Sequence, residues 1–134
     1  MAGKVIRQKY ISRQEVRNNR ATTLYVFGDN IRREGLGGQA NAMRGEPNAL
    51  GVPTKWSPHR NKDAFFSDDD WNYVGVRLSI ISAFRTMEMF LEEGFNVVIP
   101  SDGLGTGLSE LAHRAPRIFV EIETRVKLLE EKYP

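Results

Sequence analysis

Twice in this chain, a short apolar run ends in a glycine-rich loop that is followed by a helical pattern. The first run, residues 24–27, leads into residues 28–40, which we call the first glycine loop. The second run, residues 95–100, leads into residues 101–107, the second glycine loop. A continuous apolar run bounded by turn residues is typical of a strand buried on both faces. The pattern therefore predicts two buried strands, each followed by a segment poor in side chains.

Weaker patterns complete an alternation of strands and helices along the chain. β-forming residues predict a strand over residues 5–11, and Ser12 is expected to cap a short helix that runs through Val16. The other expected elements are a helix over residues 39–43, a strand over residues 49–52 closed by Pro53, a long helix ended by Gly94 and a last helix that starts at Pro116. This alternation predicts an α/β layered domain with a largely parallel sheet. Ligands of such sheets bind beyond the carboxyl ends of the strands, where both glycine loops are expected.

The longest predicted helix carries a wide apolar face. Ser67 or Asp68 is expected to cap it, after a polar loop over residues 57–70, with Asp69 and Asp70 in its first turn. Apolar residues then recur at steps of three and four in two neighbouring stripes, which are Trp71, Val74, Leu78, Ile81, Phe84, Met87 and Leu91, and Val76, Ile80, Ala83, Met87 and Phe90. A face this wide is typical of a helix that packs on a sheet. The last helix has one such stripe, formed by Ile118, Ile122, Val126 and Leu129.

The composition is typical of a globular protein. The 134 residues suit one domain, expected over residues 1–134, and the apolar and charged fractions of 40 % and 27 % are ordinary. Without cysteine the chain has neither a disulfide framework nor a thiolate for catalysis or metal binding. It contains no run of about 18 apolar residues, and residues 1–20 lack the pattern of a signal peptide. We therefore expect a cytoplasmic protein with no membrane partner.

Charge is distributed unevenly along the chain. Residues 1–60 carry 11 Lys/Arg against 4 Asp/Glu, whereas residues 61–134 carry 8 against 13. Six arginines of the basic half would form a rim that attracts phosphate and suits a nucleic-acid partner, and they are Arg13, Arg17, Arg20, Arg32, Arg33 and Arg44. Solvated arginines without a partner are the alternative, and the sequence does not separate the two.

The two glycine loops suit a ligand that carries phosphate. Glycines let backbone N–H groups approach a ligand closely, and a following helix adds the positive end of its dipole. One such loop is weak support for a site because glycine turns are common, but two loops at the same sheet edge can bracket a diphosphate. Neither loop has the Gly-Lys-Ser/Thr of the Walker loop or the glycine spacing of the dinucleotide fingerprint. The pair therefore predicts a site for a phosphate-rich small molecule.

Four motifs occur in the order found in macrodomains, and these are Gly28-Asp29-Asn30, Gly35 through Ala40, Pro53-Thr54-Lys55 and Pro100 through Gly107. With the long helix between the third and the fourth, they span about residues 24–111. On these residues the chain resembles the macrodomain superfamily, most closely the branch of ADP-ribosyl glycohydrolases and antitoxin macrodomains. The resemblance implies a layered α/β/α fold with a mixed, largely parallel sheet.

The resemblance also implies a function and a site. It implies a cavity that binds ADP-ribose and a hydrolase that removes ADP-ribose from modified protein or nucleic acid, without a cofactor. Lys55 matches the lysine that this branch uses at the anomeric carbon of the distal ribose, Asp102 is the acidic group assigned with it, and Asn30 would bind ribose hydroxyls. The full set of implied ligand-binding residues is Asp29, Asn30, Gly35, Gly37, Gly38, Gln39, Gly103, Leu104, Gly105, Thr106 and Gly107.

Two positions depart from the macrodomain pattern. Some members place an acidic residue in the second glycine loop, where residues 106–108 of this chain are Thr-Gly-Leu. Acid–base help would then come from Asp102, Asp29 or Glu110, or be absent, as in members whose loop is similarly filled with glycine. The acidic residue that many macrodomains keep near adenine is also missing, because residues 11–13 are Ile-Ser-Arg. These departures favour an alternative function, a module that binds ADP-ribose or another nucleotide without hydrolysing it.

Other candidate groups point to weaker hypotheses. His59 and His113 are the two histidines and lack metal-ligand spacing, so we expect no zinc site. A helix N-terminus explains the run of aspartates over residues 68–70 better than a cation site does. Trp56 either stacks on a base or sugar or anchors its loop inside the fold. A nucleic-acid-binding accessory protein that uses the basic first half is the third class of function.

Overall fold

A four-stranded sheet lies at the centre of the computed structural model, which describes residues 1–134. Its strands are β1 (Val5–Gln8), β2 (Thr23–Asn30), β3 (Ala49–Lys55) and β4 (Asn96–Pro100). Their order across the sheet is β1-β4-β2-β3, and every neighbouring pair is parallel. The predicted α/β class is therefore confirmed, but the expected mixed sheet is wrong. A helix occurs in every connection between consecutive strands, and such crossovers join parallel strands.

The helices cover both faces of this sheet. They are α1 (Arg13–Asn18), α2 (Ala40–Met43), α3 (Val74–Glu92), α4 (Leu111–Arg114) and α5 (Pro116–Lys132). Within β2, Leu24 and Val26 join the large core formed with α3 and α5, whereas Tyr25 and Phe27 join a smaller cluster with α1 and α2. Because successive side chains of a strand point to opposite faces, β2 is buried on both sides. Its unbroken apolar sequence reflects that position.

The prediction that Pro53 closes the third strand is wrong. β3 continues through Pro53 to Lys55 and pairs with β2 alone, at the edge of the sheet. An edge strand tolerates proline because one side of its backbone has no ladder to complete. The extension has a consequence for the site, since it places Lys55 opposite Asn30 at the carboxyl end of β2.

The long helix begins later than the sequence indicates. Residues Asp68–Asn72 form a separate 3₁₀ helix, and α3 starts at Val74. Asp70 holds this 3₁₀ helix, because its Oδ2 accepts from the Ser67 N–H at 2.8 Å and from Trp56 Nε1 at 3.0 Å. The expected polar loop also contains a short 3₁₀ helix at Lys62–Ala64.

Both apolar stripes predicted on α3 contribute to its buried face. The buried members are Val76, Ile80, Ala83 and Met87 of the second stripe and Phe84, Met87 and Leu91 of the first. Val74 and Leu78, at the start of the first stripe, are more than half exposed. All four residues of the stripe predicted on α5 are buried.

The predicted helix ends and caps are confirmed in three places. Ser12 accepts a hydrogen bond from the Glu15 N–H and caps α1. Gly94 follows the end of α3 with a φ of 97°, which glycine adopts without strain. Pro116 is the first residue of α5, as its sequence position predicts. None of the helices combines the length and the apolar character that crossing a membrane requires.

Candidate functional site

A cavity of about 290 Å³, the central cavity, opens at the carboxyl ends of β2 and β3 and beside the loop that follows β4. Both glycine loops line it. The second loop passes close to β2, since a Cβ placed on Gly28 would lie 3.5 Å from the backbone nitrogen of Gly105. The two loops therefore form one site, as their positions at strand ends predict.

All but one of the expected site residues line the central cavity. The cavity residues among them are Asp29, Asn30, Gly35, Gly37, Gly38, Gln39, Lys55, Asp102, Gly103, Gly105, Thr106 and Gly107. Leu104 does not line it, because its side chain is 1 % exposed and packs in the large core. Leu104 anchors the second loop from behind. Sequence reasoning could not separate it from its neighbours, since a leucine between two glycines can face either way.

An ion pair between Asp29 and Arg44 holds the first glycine loop. Nη1 and Nη2 of Arg44 both donate to the Asp29 carboxylate, whose side chain is only 5 % exposed. Arg44 Nε also donates to the Gly35 carbonyl at 2.7 Å, and Nη2 donates to the Glu34 carbonyl at 3.2 Å. Asp29 is thus engaged within the protein, which leaves Asp102 as the cavity carboxylate without a hydrogen bond or ion pair to another residue.

Asn30 also supports the first loop. Its Nδ2 donates to the Glu34 carbonyl at 2.8 Å, and its Oδ1 accepts from the Glu34 N–H at 3.4 Å. A side-chain amide has two N–H groups and two carbonyl lone pairs. One N–H and one lone pair of Asn30 consequently stay free for a ligand in the cavity.

The second glycine loop is held by its backbone. No side chain makes a hydrogen bond to residues 101–107, whereas the Gly103 N–H donates to Pro100 O at 3.0 Å and Gly105 O accepts from the Leu111 N–H at 2.9 Å. Gly105 has a φ of 79°, and a Cβ there would lie 2.7 Å from the Leu111 side chain. Glycine at this position is required both by the backbone conformation and by the space available. Asp102, Thr106 and Gly107 are exposed.

Lys55 lies at the edge of the central cavity, at the end of β3, and only 8 % of it is exposed. Its Nζ donates to the His59 carbonyl at 2.8 Å and lies 4.4 Å from the centroid of the Phe65 ring. Burial lowers the pKa of Lys55, and the charges of Arg114 and Arg60 lower that pKa further, against a smaller opposing effect of Glu110. The amine is therefore easier to deprotonate than that of a solvated lysine.

The sequence does not indicate that Phe65 and Arg114 lie near Lys55. Phe65 forms an isolated antiparallel bridge with Lys55, and the guanidinium carbon of Arg114 lies 3.7 Å from the Phe65 ring centroid. Arg114 belongs to α4 and Phe65 to the connection before α3, so no spacing along the chain brings them together. Only the fold makes them neighbours of Lys55.

Most of the arginines in the predicted phosphate-attracting rim are paired inside the protein. The Glu46 carboxylate, 6 % exposed, faces Arg13 at 2.7 Å, Arg17 at 3.1 Å and Arg20 at 4.0 Å. The hydrogen bond from Arg13 is the main cause that lowers the pKa of Glu46. Arg44 is bound to Asp29, and Arg32 lies 3.8 Å from Glu34. Of the six arginines, Arg33 alone has no carboxylate within 4 Å, so the rim does not present a surface of free cations.

The structure also locates the tryptophan and the histidines that the sequence offered as candidate groups. Trp56 packs edge-to-face on Phe66 and on Tyr73, and its Nε1 donates to Asp70, so it anchors its loop inside the fold. His59 and His113 are both exposed. No group of three or more His, Cys, Asp or Glu side chains is arranged to hold a metal ion.

Comparison with known proteins identifies a family without an assigned activity. Residues 6–125 match a family described as a family of unknown function (DUF7831). This range includes every residue that lines the central cavity. No curated protein and no solved structure matches the chain.

Proposed function

We propose that this chain, which belongs to the family of unknown function DUF7831, is a macrodomain-like protein that binds ADP-ribose in its central cavity. The observation that carries the proposal is the meeting of both glycine loops around one cavity at the carboxyl ends of parallel strands. Backbone N–H groups of glycine loops bind phosphate oxygens without a side chain in between. The volume of about 290 Å³ is close to the lower end of small-molecule sites and suits the diphosphate with the distal ribose.

A second function, hydrolytic release of ADP-ribose from a modified macromolecule, is favoured by Lys55. Its amine is buried, has a lowered pKa and lies at the cavity edge, which are the properties of an activated lysine nucleophile. In this reaction the neutral Nζ attacks the anomeric carbon and the bond to the macromolecule breaks. The proton that the newly bonded nitrogen loses passes through the Asp102 carboxylate to the leaving group. Water then cleaves the lysine–sugar bond and restores the free amine. The alternative, a module that binds without hydrolysis, would bind ADP-ribose and release none.

A charge placed on the cavity wall tests the binding proposal. A Cβ on Gly107 would meet no atom within 4 Å, so Gly107→Asp adds a carboxylate to the cavity without a clash. Repulsion between this carboxylate and the diphosphate should weaken ADP-ribose binding at least tenfold, about 1.4 kcal/mol. Isothermal titration calorimetry measures the affinity, and Gly75→Asp is the matched control because Gly75 is equally open and lies on α3, outside the cavity. Absence of wild-type binding at millimolar ADP-ribose would refute the proposal.

Lys55 variants test the hydrolytic function. Lys55→Ala should reduce release of ADP-ribose from modified protein or DNA at least a hundredfold, with a much smaller change in ADP-ribose affinity. Because burial and neighbouring cations lower the pKa of Lys55, the wild-type rate should rise with pH and level off with a midpoint below the 10.5 of an ordinary lysine. Full activity of Lys55→Ala in a release assay would remove this residue from the reaction.

A further inference from the structure

The outer side of α3 carries apolar residues that the rest of the chain leaves uncovered. Val74, Leu78 and Met89 are each more than half exposed, and Ile81 between them is half-buried. The opposite side of the helix supplies the large core. A helix with one solvated side normally carries polar residues there. The sequence of α3 is instead that of a helix covered on two sides, so its outer side indicates a partner.

A groove of about 580 Å³ lies between α3 and α5 beside these apolar residues. Its lining includes Leu128, which is more than half exposed. Met89 follows the groove residue Arg85 by about one helical turn, so both side chains lie on the same side of α3. We call this surface the α3–α5 patch, and its members are Ile81, Phe84, Arg85, Glu88, Met89 and Leu128.

The charges of the α3–α5 patch have both signs. Arg85 and Glu88 are three residues apart on α3 and therefore lie on the same side of the helix. Arg85 is exposed and forms no hydrogen bond or ion pair, whereas Glu88 faces Lys132 at 3.3 Å. A partner of uniform charge, such as a nucleic acid, would be repelled by one of the two groups. A cation and an anion side by side on one helix are complementary to the same pair on an antiparallel copy of that helix.

We propose that the α3–α5 patch is a dimer interface on which a second copy of this chain packs about a two-fold axis. In such an interface the same surface is used by both copies. An axis midway between Arg85 and Glu88 sets the two α3 helices antiparallel, so Arg85 of each copy faces Glu88 of the other. Phe84 and Met89 are also equally far from that axis along the helix, so Met89 of one copy packs against Phe84 of the other. The proposal goes beyond the proposed function, because the patch and the central cavity share no residue.

The size of the two helices and the net charge of the chain suit such a dimer. α3 has 19 residues and is about 28 Å long, and neighbouring helices pack about 10 Å apart. The outer sides of α3 and α5 together therefore offer about 600 Å² per copy, at the lower end of specific interfaces. A net charge of only +2 leaves little repulsion between two copies. We expect a dimer with a dissociation constant in the micromolar range.

Sedimentation equilibrium from about 1 µM to about 1 mM protein covers the affinities of weak dimers and tests the proposal. The mass of the wild type should approach twice the 15.2 kDa of one chain as the concentration rises. Arg85→Glu and Glu88→Arg should each weaken the dimer at least about tenfold, because each brings like charges face to face. Arg117→Glu makes the same charge change at an exposed position at the start of α5, outside the patch. This control should keep the dissociation constant within about twofold of the wild type.

A mixture of the two charge variants tests the antiparallel arrangement. When Arg85→Glu associates with Glu88→Arg, both facing pairs again have opposite signs. The equal mixture should therefore associate within about threefold of the wild-type affinity, although each variant alone is mainly monomeric. Met89→Gln tests the apolar contact separately and should weaken the dimer about fivefold.

The outcomes separate this inference from the proposed function. A wild type that stays monomeric at about 1 mM would leave the patch to a different partner and overturn the inference, without affecting the cavity proposal. A dimer that none of the three patch variants weakens would use another surface, which also overturns it. Losses in the single variants that the mixture does not reverse would overturn the facing of Arg85 and Glu88. ADP-ribose affinity should stay unchanged in every patch variant, and thermal unfolding checks that each retains the fold.

Discussion

The two glycine loops look alike in the sequence, yet they are held in place by different interactions. Side chains support the first loop, because Arg44 and Asn30 bind its carbonyl groups and Asp29 fixes Arg44. The second loop receives no side-chain hydrogen bond and is anchored by Leu104, which is buried in the core behind it. The comparison shows that glycine content indicates where a chain can approach a ligand and not how its position is stabilised.

Because side-chain hydrogen bonds hold the first loop and apolar packing holds the second, we expect the two loops to respond differently to a ligand. The first loop depends on an ion pair at the cavity wall, so a bound diphosphate would change the electrostatic environment of its support. The second loop depends on apolar packing, which a charged ligand leaves unchanged. We therefore expect the second loop to be the fixed wall of the cavity and the first loop to be the wall whose stability is coupled to ligand binding.

We expect the largest loss of stability from substitution of Leu104, the buried residue that anchors the second loop. Leu104→Ala should lower the free energy of unfolding by about 4 kcal/mol, because it removes buried methyl groups and leaves a cavity in the core. Chemical denaturation measures this change. Leu108→Ala is the matched control, since Leu108 follows the same loop and is 60 % exposed, so its change should stay within about 0.5 kcal/mol. Similar losses in the two variants would mean that Leu104 does not anchor the second loop.

We expect the second-largest loss of stability when the ion pair between Asp29 and Arg44 is broken. Arg44→Ala should lower the free energy of unfolding by about 3 kcal/mol, because the buried Asp29 carboxylate then keeps only the hydrogen bond from the Asn30 N–H. Arg32→Ala should change it by less than about 0.5 kcal/mol, since Arg32 is exposed and its contact with Glu34 is weak.

A double variant isolates the pair itself. If Arg44 is needed mainly to neutralise Asp29, Asp29→Ala/Arg44→Ala should be less destabilised than the sum of the two single variants, by at least about 1 kcal/mol. Denaturation midpoints of the four proteins give this coupling energy. Additive losses would show that Arg44 acts through the Glu34 and Gly35 carbonyls alone, without the carboxylate.

The strands and the loop positions could be predicted because they depend on local patterns. Buried apolar runs indicated β2 and β4, and parallel topology then placed both glycine loops at one sheet edge. The end of β3 could not be predicted from Pro53, because the effect of proline depends on whether a strand is central or at an edge. Sheet order is a non-local property, and no residue of β3 indicates it.

The same limit applies to the charges of the site. The sequence shows an excess of arginine in the first half, but it does not show that Glu46 and Asp29 engage four of these arginines. Nor does it show that Arg114 lies against the Phe65 ring beside Lys55, because these three residues come from separate segments of the chain. Pairing depends on distances across the fold, so net charge along the sequence is a poor guide to which cations a ligand can use.

The smallest expected effect compares one glycine from each loop. Gly38 has a φ of 57° and a Cβ placed on it would meet no atom within 4 Å, so Gly38→Ala meets backbone strain alone and should cost about 1 kcal/mol. Gly107 is equally open and its φ lies outside the left-handed region, so Gly107→Ala should be neutral or stabilising by about 0.5 kcal/mol, through a less flexible unfolded chain. Thermal unfolding of the two variants under identical conditions measures the difference. Equal stabilities would mean that the first loop relaxes to accept a side chain, and its conformation would then be less firmly fixed than the contacts of Arg44 and Asn30 indicate.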